Sequence, residues 1–206
     1  MAWIVAADKK FLIIGNANAT TYKEVFPLIK ENRLWLGNGF HKGNAYFRPV
    51  GDREYVAGVK DAETGLVKFR NCCWFTNLDH GRRHQPLILM TEADNVRYSR
   101  HKEIRGAGYA HYDNYDAIEV PYVDAIPSDY DGAMGVPITF LDKYCPEQFE
   151  ILGSFNASSN EEKERWGYIN SKDTPIINKN GTETLWNGPV VNKQPLYKRI
   201  VIRRLK

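Results

Sequence analysis

Cysteine is scarce: three in 206 residues, two of them the adjacent pair Cys72-Cys73. An odd set containing two neighbours closes no disulfide framework, and a reducing cytoplasm is the natural setting. Long apolar runs are missing too. The longest is a handful of residues, far short of the roughly 20 that cross a bilayer, so no membrane partner is expected. Met1-Ala2-Trp3-Ile4-Val5 lacks the basic start and extended apolar core of a secretion signal. Without an export route, the sequons at Asn18, Asn156 and Asn180 read as chance matches. The chain has no G-x-S-x-G nucleophile elbow, no G-x-x-x-x-G-K-S/T phosphate loop and no C-x-x-C pair. It also lacks any Asn-Pro or Asp-Pro dipeptide, any internal repeat and any low-complexity segment.

What is present suits one ordinary domain or two small ones. Hydrophobic residues make up 43% and charged residues 26%, which is ordinary for a folded protein. The net charge is only +3, but the charges are unevenly placed. Tyr109 to Asp131 holds six acidic side chains and no Lys or Arg, whereas Thr184 to Lys206 holds six basic ones and no acid. A further basic group runs through His80, Arg82, Arg83 and His84, then Arg97, Arg100, His101, Lys102 and Arg105. Basic clusters interleaved with aromatics suit a phosphate backbone and base faces. The alternative is a solvated surface.

Periodicity supplies the coarse elements. Phe11-Leu12-Ile13-Ile14 is a short continuous apolar run, as in strands covered on both faces of a parallel sheet. Thr21-Tyr22-Lys23-Glu24 has the form of a capping box, and Val25, Leu28 and Ile29 follow at helical spacing. Pro27 predicts a kink or a late start there. Leu34-Trp35-Leu36 is a second short strand, so the segment predicts a βαβ unit. Tyr46 to Val50 predicts an edge strand, Asp61 to Thr64 the turn of a hairpin, and Cys72 to Phe75 another sheet strand. Beyond Thr76 periodicity weakens. Gly135 to Leu141 is a compact apolar patch feeding a short helix around Pro146 to Ile151. Asn178 to Thr182 predicts a turn, and Tyr197 to Arg204 a basic terminal strand.

Three constellations bear on chemistry. Gly37-Asn38-Gly39 after a strand is half of a nucleotide-binding turn, without the third glycine or the following helix. His80 and His84 stand four apart, without a third ligand at useful spacing, so no metal site is expected. Glu161-Glu162-Lys163 would serve a metal-dependent nuclease, or is a surface charge cluster.

Several stretches taken together are similar to one family. They are Lys10 to Asn16, Phe26 to Asn32 running into Leu34 to Gly37, Trp74 to Leu78, Tyr112-Asp113-Asn114-Tyr115-Asp116-Ala117-Ile118, Gly135 to Leu141 and Pro146 to Glu150. In order and content they resemble the EcoRI-type adenine-specific DNA methyltransferases over nearly the whole chain. The resemblance implies methyl transfer from S-adenosylmethionine to adenine N6 in double-stranded DNA, with the base flipped from the stack. It implies an α/β fold: part of a Rossmann-like methyltransferase sheet over residues 1–78, then an irregular α+β target-recognition region over 79–206.

The family's cofactor glycine loop and its Asn/Asp-Pro-Pro-aromatic catalytic motif have no counterpart here. That motif accepts the adenine amino hydrogens and stacks on the base, so without it N6 is not oriented toward the methyl group. No catalytic residue is therefore assigned. The chain is expected to be the C-terminal part of such an enzyme, inactive alone, needing a separately encoded N-terminal half or associating with itself. Under this resemblance Arg82, Arg83, His84, Arg97 and Arg100 become candidate DNA contacts. Asn114 would pair with an adenine edge, or is a turn residue bonding its own backbone, and Tyr112 or Tyr115 would stack on a displaced base. Lys198, Arg199, Arg203 and Arg204 would meet backbone phosphates. A non-catalytic DNA-binding module or specificity subunit is the alternative.

Overall fold

A computed structural model describes residues 2–37, 44–51, 53–155 and 167–206. The fold is mixed α/β, with many short strands and few helices. It divides into two compact units, Met1–His80 and Gly81–Lys206. Asn38 and Gly39 of the glycine turn, and the Glu161 to Lys163 run, lie outside the described residues.

In the first unit, helix α1 (Ala2–Ala6) precedes strand β1 (Leu12–Asn16). A 3-10 turn over Ala17–Thr21 leads to helix α2 (Phe26–Lys30), then β2 (Trp35–Leu36), β3 (Asn44–Phe47), β4 (Val67–Arg70) and β5 (Cys72–Thr76). The late-start expectation for Pro27 holds: α2 opens with the proline in its first turn, where a missing N–H costs nothing. The capping box does not form. The Thr21 hydroxyl instead donates back to the Asn18 carbonyl, closing the 3-10 turn, and the Asn16 side chain caps that turn at the Asn18 N–H.

The βαβ expectation needs correction. The sheet order is β1-β5-β2, and β5 runs antiparallel to both neighbours. β1 and β2 are therefore parallel to each other, but the later strand Cys72–Thr76 has inserted between them. Leu34, Phe26, Ile29 and Phe75 form the buried interior of this unit. β1 is not covered on both faces: it is the outer strand, and Leu12 and Ile14 are 54% and 40% exposed. The Asp61 turn forms as expected. The Asp61 carboxylate accepts the Thr64 N–H and hydroxyl, both at 2.7 Å, which holds that carboxyl below its usual range. The strand β4 pairs along its length with β3, and its link to the segment before the turn is the Lys60–Val67 bridge with the Lys68 N–H donating to the Val59 carbonyl at 3.0 Å.

The second unit contains helix α3 (Glu92–Tyr98), β6 (Ile118–Glu119), β7 (Met134–Pro137), β8 (Phe149–Ser154), β9 (Thr174–Ile177), β10 (Glu183–Trp186), β11 (Val190–Val191), β12 (Gln194–Pro195) and β13 (Arg199–Arg204). Its main sheet has the order β6-β7-β13-β8. The terminal strand is thus an inner strand, with Ile200, Val201 and Ile202 fully buried between β7 and β8. The helix expected around Pro146 to Ile151 is instead the strand β8, whose Phe149, Ile151 and Gly153 alternate inward. Sheet packing decided that segment, since its length is too short for helical periodicity to declare itself. The predicted turn at Asn178 to Thr182 joins β9 to β10.

Candidate nucleic-acid interface

The structure separates the predicted contact residues by what each side chain meets. Arg199 meets Glu119: its Nε lies 2.9 and 3.1 Å from the two carboxylate oxygens, and Nη2 lies 2.7 Å from Oε1. The Tyr112 hydroxyl donates to the same carboxylate. Burial and the neighbouring Glu119 charge raise the Tyr112 phenol above its ordinary range, so it stays protonated. Tyr112 and Tyr115 both pack on Phe155, with ring centroids 4.9 and 5.4 Å away. Asn114 is 5% exposed and donates its amide to the Gly188 and Lys172 carbonyls. Each of these four side chains meets partners within its own unit. Asn114 does not bond its own turn either: its acceptors lie 58 and 74 residues further along the chain.

The arginines after β5 are also engaged. Arg82 Nη2 lies 2.8 Å from Asp142, and His84 Nδ1 lies 2.6 Å from Glu147. The His84 hydrogen bond holds the Glu147 carboxyl below its usual range. The other Glu147 oxygen accepts from Cys145, whose thiol is pushed up chiefly by burial. Arg83 lies close enough to Tyr144 to oppose the upward shift that burial imposes on that phenol. His80 belongs to the first unit and meets the Leu36 carbonyl at 3.0 Å. Arg203 pairs with Glu150 at 2.8 Å on the surface, and Lys198 is half-buried. Arg204 is exposed.

A more open basic surface follows α3. Thr91 caps this helix, accepting from the Asp94 N–H at 3.1 Å, with acids in the first turn and Arg97 in the last. The Thr-x-x-Asp spacing announces that cap, and sequence reasoning passed over it. The chain then folds back: the Gly106 N–H donates to the Val96 carbonyl at 2.8 Å, with Gly106 at φ +82°, and Ile104 is buried beneath. Arg97 lies 5.0 Å over the ring of Tyr98, itself 60% exposed. Lys102 and Arg105 are exposed and meet no carboxylate among the described residues. Arg100 pairs with Asp124 at 2.7 Å. His101 bonds the other Asp124 oxygen at 3.0 Å and stacks on Tyr122 at 3.6 Å. Burial alone would raise the Asp124 carboxyl, but the bond to His101, the charges of His101 and Arg100 and a backbone hydrogen bond together outweigh it and hold the group low.

The family model described as adenine-specific methyltransferase EcoRI matches residues 1–205. The chain belongs to the EcoRI-type adenine-specific methyltransferase family. It is 44% identical to the Type II methyltransferase M.EcoRI of Escherichia coli over 152 residues, which cover 72% of this chain and 44% of that protein. It is 36% identical to M.MpnI of Mycoplasma pneumoniae over 149 residues, 70% of this chain and 44% of that protein. It is 32% identical to M.MgeORF184P of Mycoplasma genitalium over 157 residues, 72% of this chain and 45% of that protein. The matched region is thus under half the length of these methyltransferases. No solved structure matches.

The groove described in the first unit does not fit the methyl donor of such enzymes. An open groove of about 260 Å³ in the first unit is lined by Ile14, Phe47, Pro49, Tyr55, Val67, Phe69 and Cys72. It offers no carboxylate for a ribose and no charged partner for an amino-acid group. No group of His, Cys, Asp and Glu suited to a metal occurs among the described residues, and none of their helices is long and apolar enough to cross a membrane.

Proposed function

We propose that this chain supplies double-stranded DNA contacts, and part of the catalytic sheet, to a site-specific adenine-N6 methyltransferase that uses S-adenosylmethionine. The carrying observation is the exposed basic surface from Arg97 to Arg105, where Lys102 and Arg105 meet no acid among the described residues and Tyr98 presents its ring. Cations already held by carboxylates have little to offer a phosphate. Free ones release counterions when they bind.

The methyl-transfer step belongs to residues outside these 206. Neither Asn-Pro nor Asp-Pro occurs in the chain, and the groove in the first unit is apolar. Among the described residues β1 pairs on one side only, which supports a sheet completed by another polypeptide or by a second copy. The same absences favour, as a second reading, a DNA-binding module without chemistry.

The test has two arms. The purified chain binds a labelled duplex at low salt but transfers no labelled methyl group to it. A polypeptide carrying the glycine loop and the Asn/Asp-Pro-Pro-aromatic motif then restores methylation if the chain is part of a split enzyme. Failure of that complementation, with DNA binding intact, selects the module. Methyl transfer by the chain alone overturns both.

A further inference from the structure

The β3–β4 hairpin of the first unit has two unlike faces. Register places Ala45 opposite Phe69 and Phe47 opposite Val67 on one face. Ala45 and Val67 are buried there, and the Phe47 and Phe69 rings meet edge-on at 5.6 Å beside the apolar groove. The other face carries Asn44 opposite Arg70 and Tyr46 opposite Lys68. This alternation is the period-two pattern of a half-covered sheet. Tyr46 is 57% exposed, with the Lys68 ammonium 5.7 Å from its ring centre. Arg70 is exposed, as is Arg48 just beyond the end of β3. None of Arg48, Lys68 and Arg70 meets a carboxylate among the described residues, and neither strand contains an acidic residue.

We infer that this outward face, Tyr46 with Lys68 and Arg70, is a second contact for the DNA phosphate backbone. The inference rests on the DNA-binding reading above but uses a different unit and different residues. Two cations two residues apart on one face of β4, about 7 Å apart along the strand, and without carboxylate partners among the described residues, suit a polyanion better than a protein surface. An exposed Tyr already polarised by a neighbouring cation adds a flat apolar platform for a sugar or base edge. The opposite face anchors the hairpin through Ala45 and Val67, so the cationic face is held in place by packing.

The experiment titrates a labelled duplex with the full chain and with Lys68→Gln/Arg70→Gln. These substitutions keep the stem over Tyr46 and remove both charges. The expected result is a roughly tenfold loss of affinity near 50 mM salt, with the slope of log affinity against log salt shallower by about two. The swap Lys68→Arg/Arg70→Lys keeps both charges and is expected to keep affinity and slope. Circular dichroism confirms that each variant is folded. Unchanged affinity and slope in the Gln variant, with the parent still binding, overturns the hairpin contact and leaves the wider reading standing. A parent chain that binds no duplex at low salt overturns both.

Discussion

Arg199 holds Glu119 from 80 positions away in the chain, with three nitrogen–oxygen contacts of 2.7 to 3.1 Å. Their side chains are only 14% and 10% exposed. Removing one partner of a buried pair leaves the other charge uncompensated, typically at about 3–5 kcal/mol. Arg199→Ala is therefore expected to lower the urea midpoint sharply, while Arg203→Ala, whose pair with Glu150 is half exposed, costs under about 1 kcal/mol. Equal, small shifts for the two would show that Arg199 is not a structural residue.

This pair shows where sequence reading stops. The strand from Tyr197 to Arg204 was legible, because Ile200-Val201-Ile202 sits among turn residues and cations. The charge of Arg199 was legible too. Its partner was not, since a carboxylate 80 residues earlier leaves no local trace. The same holds for Asn114, whose acceptors are the carbonyls of Lys172 and Gly188. Local elements governed by chain-neighbour chemistry, such as the Asp61 turn and the late start at Pro27, followed the sequence. Elements decided by long-range pairing, such as β5 between β1 and β2, did not.

Gly135 lies on β7 against the ring of Tyr112. A Cβ there would stand 2.7 Å from Tyr112 Cζ and 2.8 Å from Cε2, closer than real side chains allow. The ring is fixed by its bond to Glu119 and its packing on Phe155. Gly135→Ala is expected to destabilise the protein by about 1–3 kcal/mol through overpacking. Denaturant unfolding measures it, and a shift below about 0.5 kcal/mol would mean that the ring moves freely.

Salt dependence separates bound cations from free ones in the second unit. Lys102→Gln/Arg105→Gln removes two exposed charges without carboxylate partners. Arg82→Gln removes a charge already 2.8 Å from Asp142. The double variant is expected to reduce the salt slope of duplex binding by about two, and Arg82→Gln by less than one. Anisotropy titrations at several salt concentrations give both slopes, and a steeper loss for Arg82→Gln would reverse the assignment.

Asp124 gives stability a defined pH dependence. Its folded-state pKa lies below the ordinary value of 3.8, because burial is outweighed by its bond to His101, the charges of His101 and Arg100 and a backbone hydrogen bond together. A depressed carboxylate stabilises the fold above the unfolded-state value, and that contribution is lost as pH falls through the folded one. The melting-temperature gap between the parent and Asp124→Asn should close as pH falls from about 5 through the folded-state value. A gap that widens on acidification would contradict the sign.

The edge of β1 carries the last prediction. Leu12 and Ile14 are exposed on the outer strand of an antiparallel sheet, and Ile14 also lines the apolar groove with Phe47 and Phe69. An uncharged, aliphatic edge is a template for pairing with another strand, and proteins usually blunt such edges with charge. The chain alone is therefore expected to self-associate in sedimentation as its concentration rises. Leu12→Lys should suppress this without unfolding the unit, since the side chain is already more than half exposed. A partner polypeptide that completes the sheet should suppress it as well, by occupying the same backbone groups. A monomer at every concentration for the parent chain would mean that the edge is protected, and the assembly argument built on β1 would fall with it.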